Sequence, residues 1–292
     1  MLRSMKDLEN CTICAIDGTI GHVRDFYFED DTWVVRYLVV DTGSWLSSRK
    51  VLISPVVLGQ PDWTERVLPV SITKQQVRNS PNIDTDKPVS RQHEKQYLEY
   101  YGYPSYWGGA GLWGAGVYPS AMSSTCGGGV STEYALRQCD ASRTESDSYS
   151  LEEGNLHLRS CKALMKYRIE AMDGGVGHVQ GLLVDEATWA IRYLVVETSN
   201  WWLGHQVLIS PKWIEDISWV DTTVSVALSQ QAVKDAPPYD PATPPSREQE
   251  ISLHKHHGRA GYWADEVNLE NPQFAVVGPG SSRGGIGSVN RR

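Results

Sequence analysis

The chain repeats itself. Residues 2–107 align with residues 158–263 at a constant offset of 156 positions, without a gap, and 39 of the 106 aligned positions are identical. The identities come in blocks. Ala15, Asp17 and Gly18 meet Ala171, Asp173 and Gly174, and Gly21-His22-Val23 meets Gly177-His178-Val179. Arg36-Tyr37-Leu38-Val39-Val40 meets Arg192-Tyr193-Leu194-Val195-Val196, and Val51-Leu52-Ile53-Ser54-Pro55 meets Val207-Leu208-Ile209-Ser210-Pro211. Two copies of one sequence imply two similar small domains, packed as a pseudo-two-fold pair.

The length of 292 residues agrees with two domains on a prior of about 150 residues each. The expected organisation is a first repeat with a C-terminal helix at 1–107 and a second at 158–263. A flexible, acidic, Gly-rich linker is expected at 108–157 and a disordered tail at 264–292. The formal net charge is −8, with neither repeat basic, so a phosphate-tracking nucleic-acid surface is disfavoured. The most apolar run, Val34 to Val40, is broken by Arg36 and far too short to cross a membrane. Residues 1–7 show no apolar leader and the five cysteines form no framework, so a reducing cytoplasm is the expected compartment.

Within a repeat the pattern reads mainly β, with short α. Thr12–Ala15, Gly21–Phe28, Trp33–Thr42, Lys50–Ser54 and Arg66–Ser71 read as strands, with Asp17-Gly18 as a hairpin turn. The third is apolar on both faces and is expected to lie centrally. Thr73 opens a capping box for a short helix to about Asn79. Ser90 caps a second helix from Arg91 to Tyr101, ended by Gly102; Ser246 and Gly258 repeat the device. So many short strands in some 65 residues imply a small β-barrel or a tightly curled sheet.

These segments resemble the PRC-barrel domain family, whose hairpin, Gly-x-Val, Arg-Tyr-Leu-Val-Val and Val-Leu-Ile-Ser-Pro strands occur here in order, twice. The family includes the cytoplasmic domain of the photosynthetic reaction-centre H subunit, the C-terminal domain of a ribosome maturation factor, and free-standing bacterial tandem proteins. The last resemble this chain most, through the helix after each barrel and the aromatic segment at 100–107. The resemblance implies two tandem PRC-type barrels that dock protein partners without chemistry of their own. It also suggests, by analogy, a ribosome-assembly or photosynthetic-complex accessory role. The membrane helix of the H subunit and the extra N-terminal domain of the ribosome factor have no counterpart in residues 1–10.

His22 and His178 are matched and could share a metal, but the nearby matched acids, Asp17 and Asp173, belong to turns; a locally bonded strand histidine is the simpler reading. Cys11-Thr12-Ile13-Cys14 enters a strand, where residues three apart face opposite sides, so two half-buried thiols are expected. Arg36 and Arg192 could clamp an anion, or could pair in the interior with a carboxylate such as Asp41 or Glu197. Trp45, Trp201 and Trp202 lie in a loop, as interface anchors or as plugs of a barrel end. Tyr106-Trp107 and Tyr262-Trp263 are expected to pack on a barrel. His254 to His257 reads as a solvated helix end.

No phosphate loop, dinucleotide fingerprint, nucleophile elbow or zinc-protease motif is present, and no cofactor or metal is implied. The aromatic bias of the chain (11 Trp and 14 Tyr against 3 Phe) points instead to interfaces. The expected function is a non-enzymatic interaction or scaffold module with a protein partner. A small-molecule-binding protein with an aromatic cleft between the barrels is the alternative. The same surfaces leave room for a further homodimer.

Overall fold

The computed structural model describes residues 1–82, 89–107, 109, 111–123, 156–198 and 205–264. The first repeat opens with β1 (Leu2–Ser4) and α1 (Met5–Leu8). β2 (Thr12–Ala15), β3 (Gly18–Glu29), β4 (Val34–Asp41), β5 (Lys50–Ile53) and β6 (Val67–Pro69) follow, then α2 (Lys74–Asn79), β7 (Val89–Ser90) and α3 (Arg91–Tyr101). A short α4 (Ser120–Ser123) precedes the second repeat. That repeat runs β8 (Leu156–Ser160), α5 (Cys161–Leu164), β9 (Arg168–Ala171), β10 (Gly174–Asp185), β11 (Ile191–Glu197), β12 (Gln206–Ile209), β13 (Ile214–Ser218) and β14 (Thr223–Val226), with α6 (Gln230–Lys234) and α7 (Arg247–His256).

Two seven-stranded sheets result. One has the order β5-β4-β3-β2-β6, with β8 beside β3 and β7 beside β8; the other has β12-β11-β10-β9-β14-β13, with β1 beside β10. In both sheets the pairing is antiparallel except for β2 with β6 and β9 with β14. The expected closure into barrels is not realised as a continuous ladder. Pro55 starts a 3-10 turn directly after β5, and β6 has only three residues, so only an isolated bridge, Leu58 to Val70, links the two edges. β4 is central as expected, buried on both faces.

The long strand β3 has one extra residue, Arg24, between Val23 and Asp25, and β4 has one, Arg36, opposite Tyr27 and Phe28. A bulge bends a strand and re-aims it. β3 thus pairs β2 with its first half and β8 with its last three residues. Gly21 sits where β3 passes closest to β4: a Cβ there would lie 1.9 Å from the Asp41 carbonyl oxygen, and at the matched Gly177 2.0 Å from that of Glu197.

The repeats exchange their first strands. Leu2, Arg3 and Ser4 pair with Asp185, Val184 and Leu183, while Leu158, Arg159 and Ser160 pair with Glu29, Phe28 and Tyr27. Each pair becomes the other when 156 is added to one residue and subtracted from its partner. Ion pairs follow the same rule: Arg3 meets Glu186, and Arg159 meets Asp30 at 2.9 Å. At the centre, the Val35 amide donates to the Trp189 carbonyl at 2.8 Å and the Ile191 amide to the Trp33 carbonyl at 2.7 Å. The apolar residues of both repeats form one buried cluster.

Capping follows the sequence closely. Thr73 with Gln76, and Ser246 with Gln249, form complete capping boxes. Gly102 and Gly258 adopt φ of +70° and +60° after their helices, a conformation that costs glycine least. The matched turn acids add a contact not foreseen. Asp17 accepts from the Lys74 amide and Asp173 from the Gln230 amide, each at 2.7 Å, so each carboxylate caps a helix 57 residues on.

Candidate interaction site

Arg36 is buried, at 2% exposure. Its guanidinium donates to Glu29 Oε2 at 2.6 Å, to Thr32 Oγ1 at 3.3 Å and to the Leu112 carbonyl at 2.6 Å. Its faces lie 3.8 Å from the Tyr106 ring centre and 4.8 Å from that of Trp113. Glu29 is therefore the partner, in place of the expected Asp41. Asp41 lies five residues along the strand, about 16 Å away and beyond reach of the Arg36 side chain, and pairs with Arg24 instead, at 3.6 Å.

A second buried carboxylate completes the group. Glu94 on α3 accepts from the Tyr106 hydroxyl at 2.6 Å and from Arg91 at 3.3 Å, and is bonded to His157 of the other repeat. Arg91 also reaches Glu29 at 3.2 Å, and stacks on Trp107 at 4.4 Å. Burial alone would raise the Glu29 carboxyl, but the charge and hydrogen bond of Arg36 bring it below the usual carboxylate range.

The second repeat builds the same group from matched positions. Arg192 contacts Thr188 at 3.1 Å and Asp185 at 3.7 Å, and lies 4.0 Å over the Tyr262 ring. Glu197, the other expected partner, pairs with His178 at 3.4 Å. Glu250 accepts from Tyr262 at 2.9 Å and pairs with Arg247 at 3.1 Å; Arg247 stacks on Trp263 at 4.7 Å. Burial raises the Glu250 carboxyl above its ordinary value. The pairs Arg91/Arg247, Glu94/Glu250 and Thr32/Thr188 were not singled out from the sequence. Their identity at the 156-residue offset was the signal that could have found them.

Other expected positions fall elsewhere. His22 is exposed and lies 3.4 Å from Thr12 Oγ1. Among the described residues, no three His, Cys, Asp or Glu side chains converge on a metal site. Cys11 is buried and Cys14 half-buried, both free thiols. Trp45 is half-buried, its indole N–H bonded to the Ile20 carbonyl and its ring under Lys74 at 4.5 Å, as a plug would be. Trp201 and Trp202 lie outside the described residues. His254 corrects the expectation of a solvated helix end: it is 2% exposed, bonded to Tyr193 at 3.1 Å and flanked by Trp213 and Trp263. Its counterpart is the core residue Leu98.

The linker expected to be flexible is in part built into the first repeat. Trp113 is 2% exposed and its indole donates to the Thr188 carbonyl at 2.8 Å. The glycines bring strands of backbone together: Gly111 bonds Gly114 and Trp113 bonds Gly116, each at 2.8 Å, and a Cβ on Gly111 would lie 2.3 Å from the Gly116 oxygen. Here glycine serves close approach, which composition alone does not separate from flexibility. Residues 124–155 and the expected tail at 265–292 lie outside the described residues.

A cleft of about 570 Å³ opens at the seam between the repeats. Asp30 to Trp33 of the first repeat form one wall, and Arg192, Ser210, Glu215, Trp219 and Tyr262 line the other side. The family model for the PRC-barrel domain matches residues 3–76. Residues 3–76 are a PRC-barrel domain. An uncharacterised protein of Deinococcus radiodurans is 39% identical over 88 residues, covering 26% of this chain and 31% of that protein. The chain thus spans about a third of the length of the relative it matches. Arg36, Trp45 and the exchanged strand β1 except Leu2 fall inside the PRC-barrel domain; Tyr106, Glu94 and Trp113 lie beyond it and pack back onto it. No helix among the described residues is long and apolar enough to cross a membrane.

Proposed function

We propose that this protein is a non-enzymatic docking module made of two PRC-type repeats, the second at residues 158–263, related by a pseudo-two-fold axis, with the cleft at their seam as the partner-binding surface. The reciprocal register of β1 on β10 and β8 on β3 carries the two-fold reading, because an isologous contact requires residue i to meet j and j′ to meet i′. The matched charges support a structural rather than chemical role: Arg36 is held by Glu29, and Glu250 by Tyr262 and Arg247, inside the protein. The cleft has four acids, Asp30, Asp31, Glu215 and Asp216, against Arg192 and Lys212. Such a lining favours a protein over a nucleic acid or an anionic lipid surface.

The test is an affinity capture at moderate salt with the wild-type chain and with Asp216→Trp, which fills the cleft from an exposed position. Proteins held by the wild type and lost by a variant of unchanged melting temperature support docking at the cleft. Equal capture by both contradicts it.

The same cleft supports a second reading, a small aromatic ligand held between Trp33, Trp219 and Tyr262. It predicts a ligand-dependent rise in melting temperature that Trp219→Ala abolishes.

A further inference from the structure

The cleft has a counterpart in the first repeat, and that counterpart is filled. Subtracting 156 from the second-repeat lining gives Arg36, Ser54, Gly59, Trp63 and Tyr106; adding it to the first-repeat wall gives Glu186 to Trp189. Residues 111–123 lie on these positions at three points. The Leu112 carbonyl accepts from Arg36, the Trp113 indole donates to the Thr188 carbonyl, and α4 packs on the 3-10 turn Pro55–Val57. Trp113 also faces Tyr106, with ring centres 6.5 Å apart. The chain itself therefore displays the kind of segment this surface accepts.

We propose that the second-repeat cleft binds a peptide segment of a partner protein that folds back on itself, as residues 111–116 do, and carries a tryptophan among small residues, flanked by a basic residue. This inference rests on the docking reading and names the chemistry of the occupant. By the correspondence, a main-chain carbonyl of the peptide accepts from Arg192 and its indole N–H donates to the Thr32 carbonyl. The indole lies against Tyr262. The volume, about 570 Å³, lies within the range of about 300–1,000 Å³ typical of a built ligand site. The basic flank follows from a difference between the two sites. The acids Asp31, Glu215 and Asp216 of the open cleft stand where the filled site has Ala187, Gly59 and Gln60, and residues 111–122 carry no charge. A peptide for the open cleft gains by meeting those carboxylates with a cation.

The probe is a fluorescein-labelled peptide with the sequence of residues 111–122, made with and without two added N-terminal lysines, and titrated against the full chain by anisotropy. The proposal predicts saturable binding, tightened roughly fivefold by the lysines at low salt. Replacing the tryptophan of the peptide by alanine weakens it roughly tenfold, and Asp216→Trp in the protein removes it. A benzophenone in place of the indole labels residues 30–33 or Tyr262. The absence of saturable binding by the lysine-bearing peptide overturns the proposal, as does labelling of residues 186–189 or Tyr106, which would mean displacement of the chain's own segment. Self-association of the full chain that the peptide competes away would make a second copy the occupant and overturn the partner assignment. If cleft-dependent capture of proteins persists while the peptide fails, the peptide chemistry falls and the docking reading stands.

Discussion

Val34 and Ala190 occupy the same position of the two repeats, 156 residues apart, and bridge each other antiparallel. A residue that pairs with its own counterpart lies where a two-fold axis must pass. The flanking bonds, Val35 to Trp189 and Ile191 to Trp33, obey the same operation, as do the exchanged strands at 2–4 and 158–160. The proposed axis therefore runs through hydrogen-bonded backbone, and the cleft beside it is framed by both copies.

Buried charge makes the first repeat more sensitive than the second. Glu94→Ala would remove the buried carboxylate that Tyr106, His157 and Arg91 share, leaving Arg91 with Glu29, and is expected to cost about 3 kcal/mol. Glu250→Ala is expected to cost less, about 1–2 kcal/mol. Its partner Arg247 is half in solvent, and the position matched to His157 is Met1, which is exposed. Urea unfolding of both variants measures the difference.

Trp113 is a core residue of the first repeat, not a linker residue. Trp113→Ala is expected to destabilise the protein by about 3–5 kcal/mol, whereas Val220→Ala, at a side chain 93% exposed, changes stability by less than about 0.5 kcal/mol. Thermal melts of the two variants separate a docked segment from a loose one.

The helix-end histidines make stability fall in acid. Desolvation holds His254 below the ordinary histidine pKa and pushes His257 down to about 4. The unfolded chain takes up these protons near about pH 6.5, the folded chain only later. Their contribution is therefore complete above pH 6.5 and is lost as the pH falls towards about 4. The double variant His254→Leu with His257→Tyr restores the residues at 98 and 101 of the first repeat. Urea midpoints at pH 7 and pH 5 should differ less for this variant than for the wild type.

The elements of each repeat were legible where local chemistry dictates them. Thr73 and Ser246 announce their helices through capping boxes, and the run Val34 to Val40, apolar but for Arg36, announces a central strand. The exchange of β1 and β8 was not legible, because Leu2–Ser4 is three residues long and nothing local says which sheet it joins. The partner of Arg36 was misread because Asp41, near in sequence, lies about 16 Å further along an extended strand. Trp113 was missed because its glycine neighbours read as flexibility. His254 was missed although its matched residue, Leu98, is apolar: the run of neighbouring histidines read as a solvated end. In the last case the repeat itself held the answer, one position at a time.

The cleft exists only at the seam of the two repeats, and so requires that they form one body. Calorimetry of the full chain and of Gly21→Ala tests this most directly, because a Cβ at position 21 would lie 1.9 Å from the Asp41 carbonyl and strain the first repeat alone. One body predicts a single transition, with calorimetric and van't Hoff enthalpies equal, that moves as a whole to lower temperature in the variant. Two transitions, only one of which moves, would contradict it.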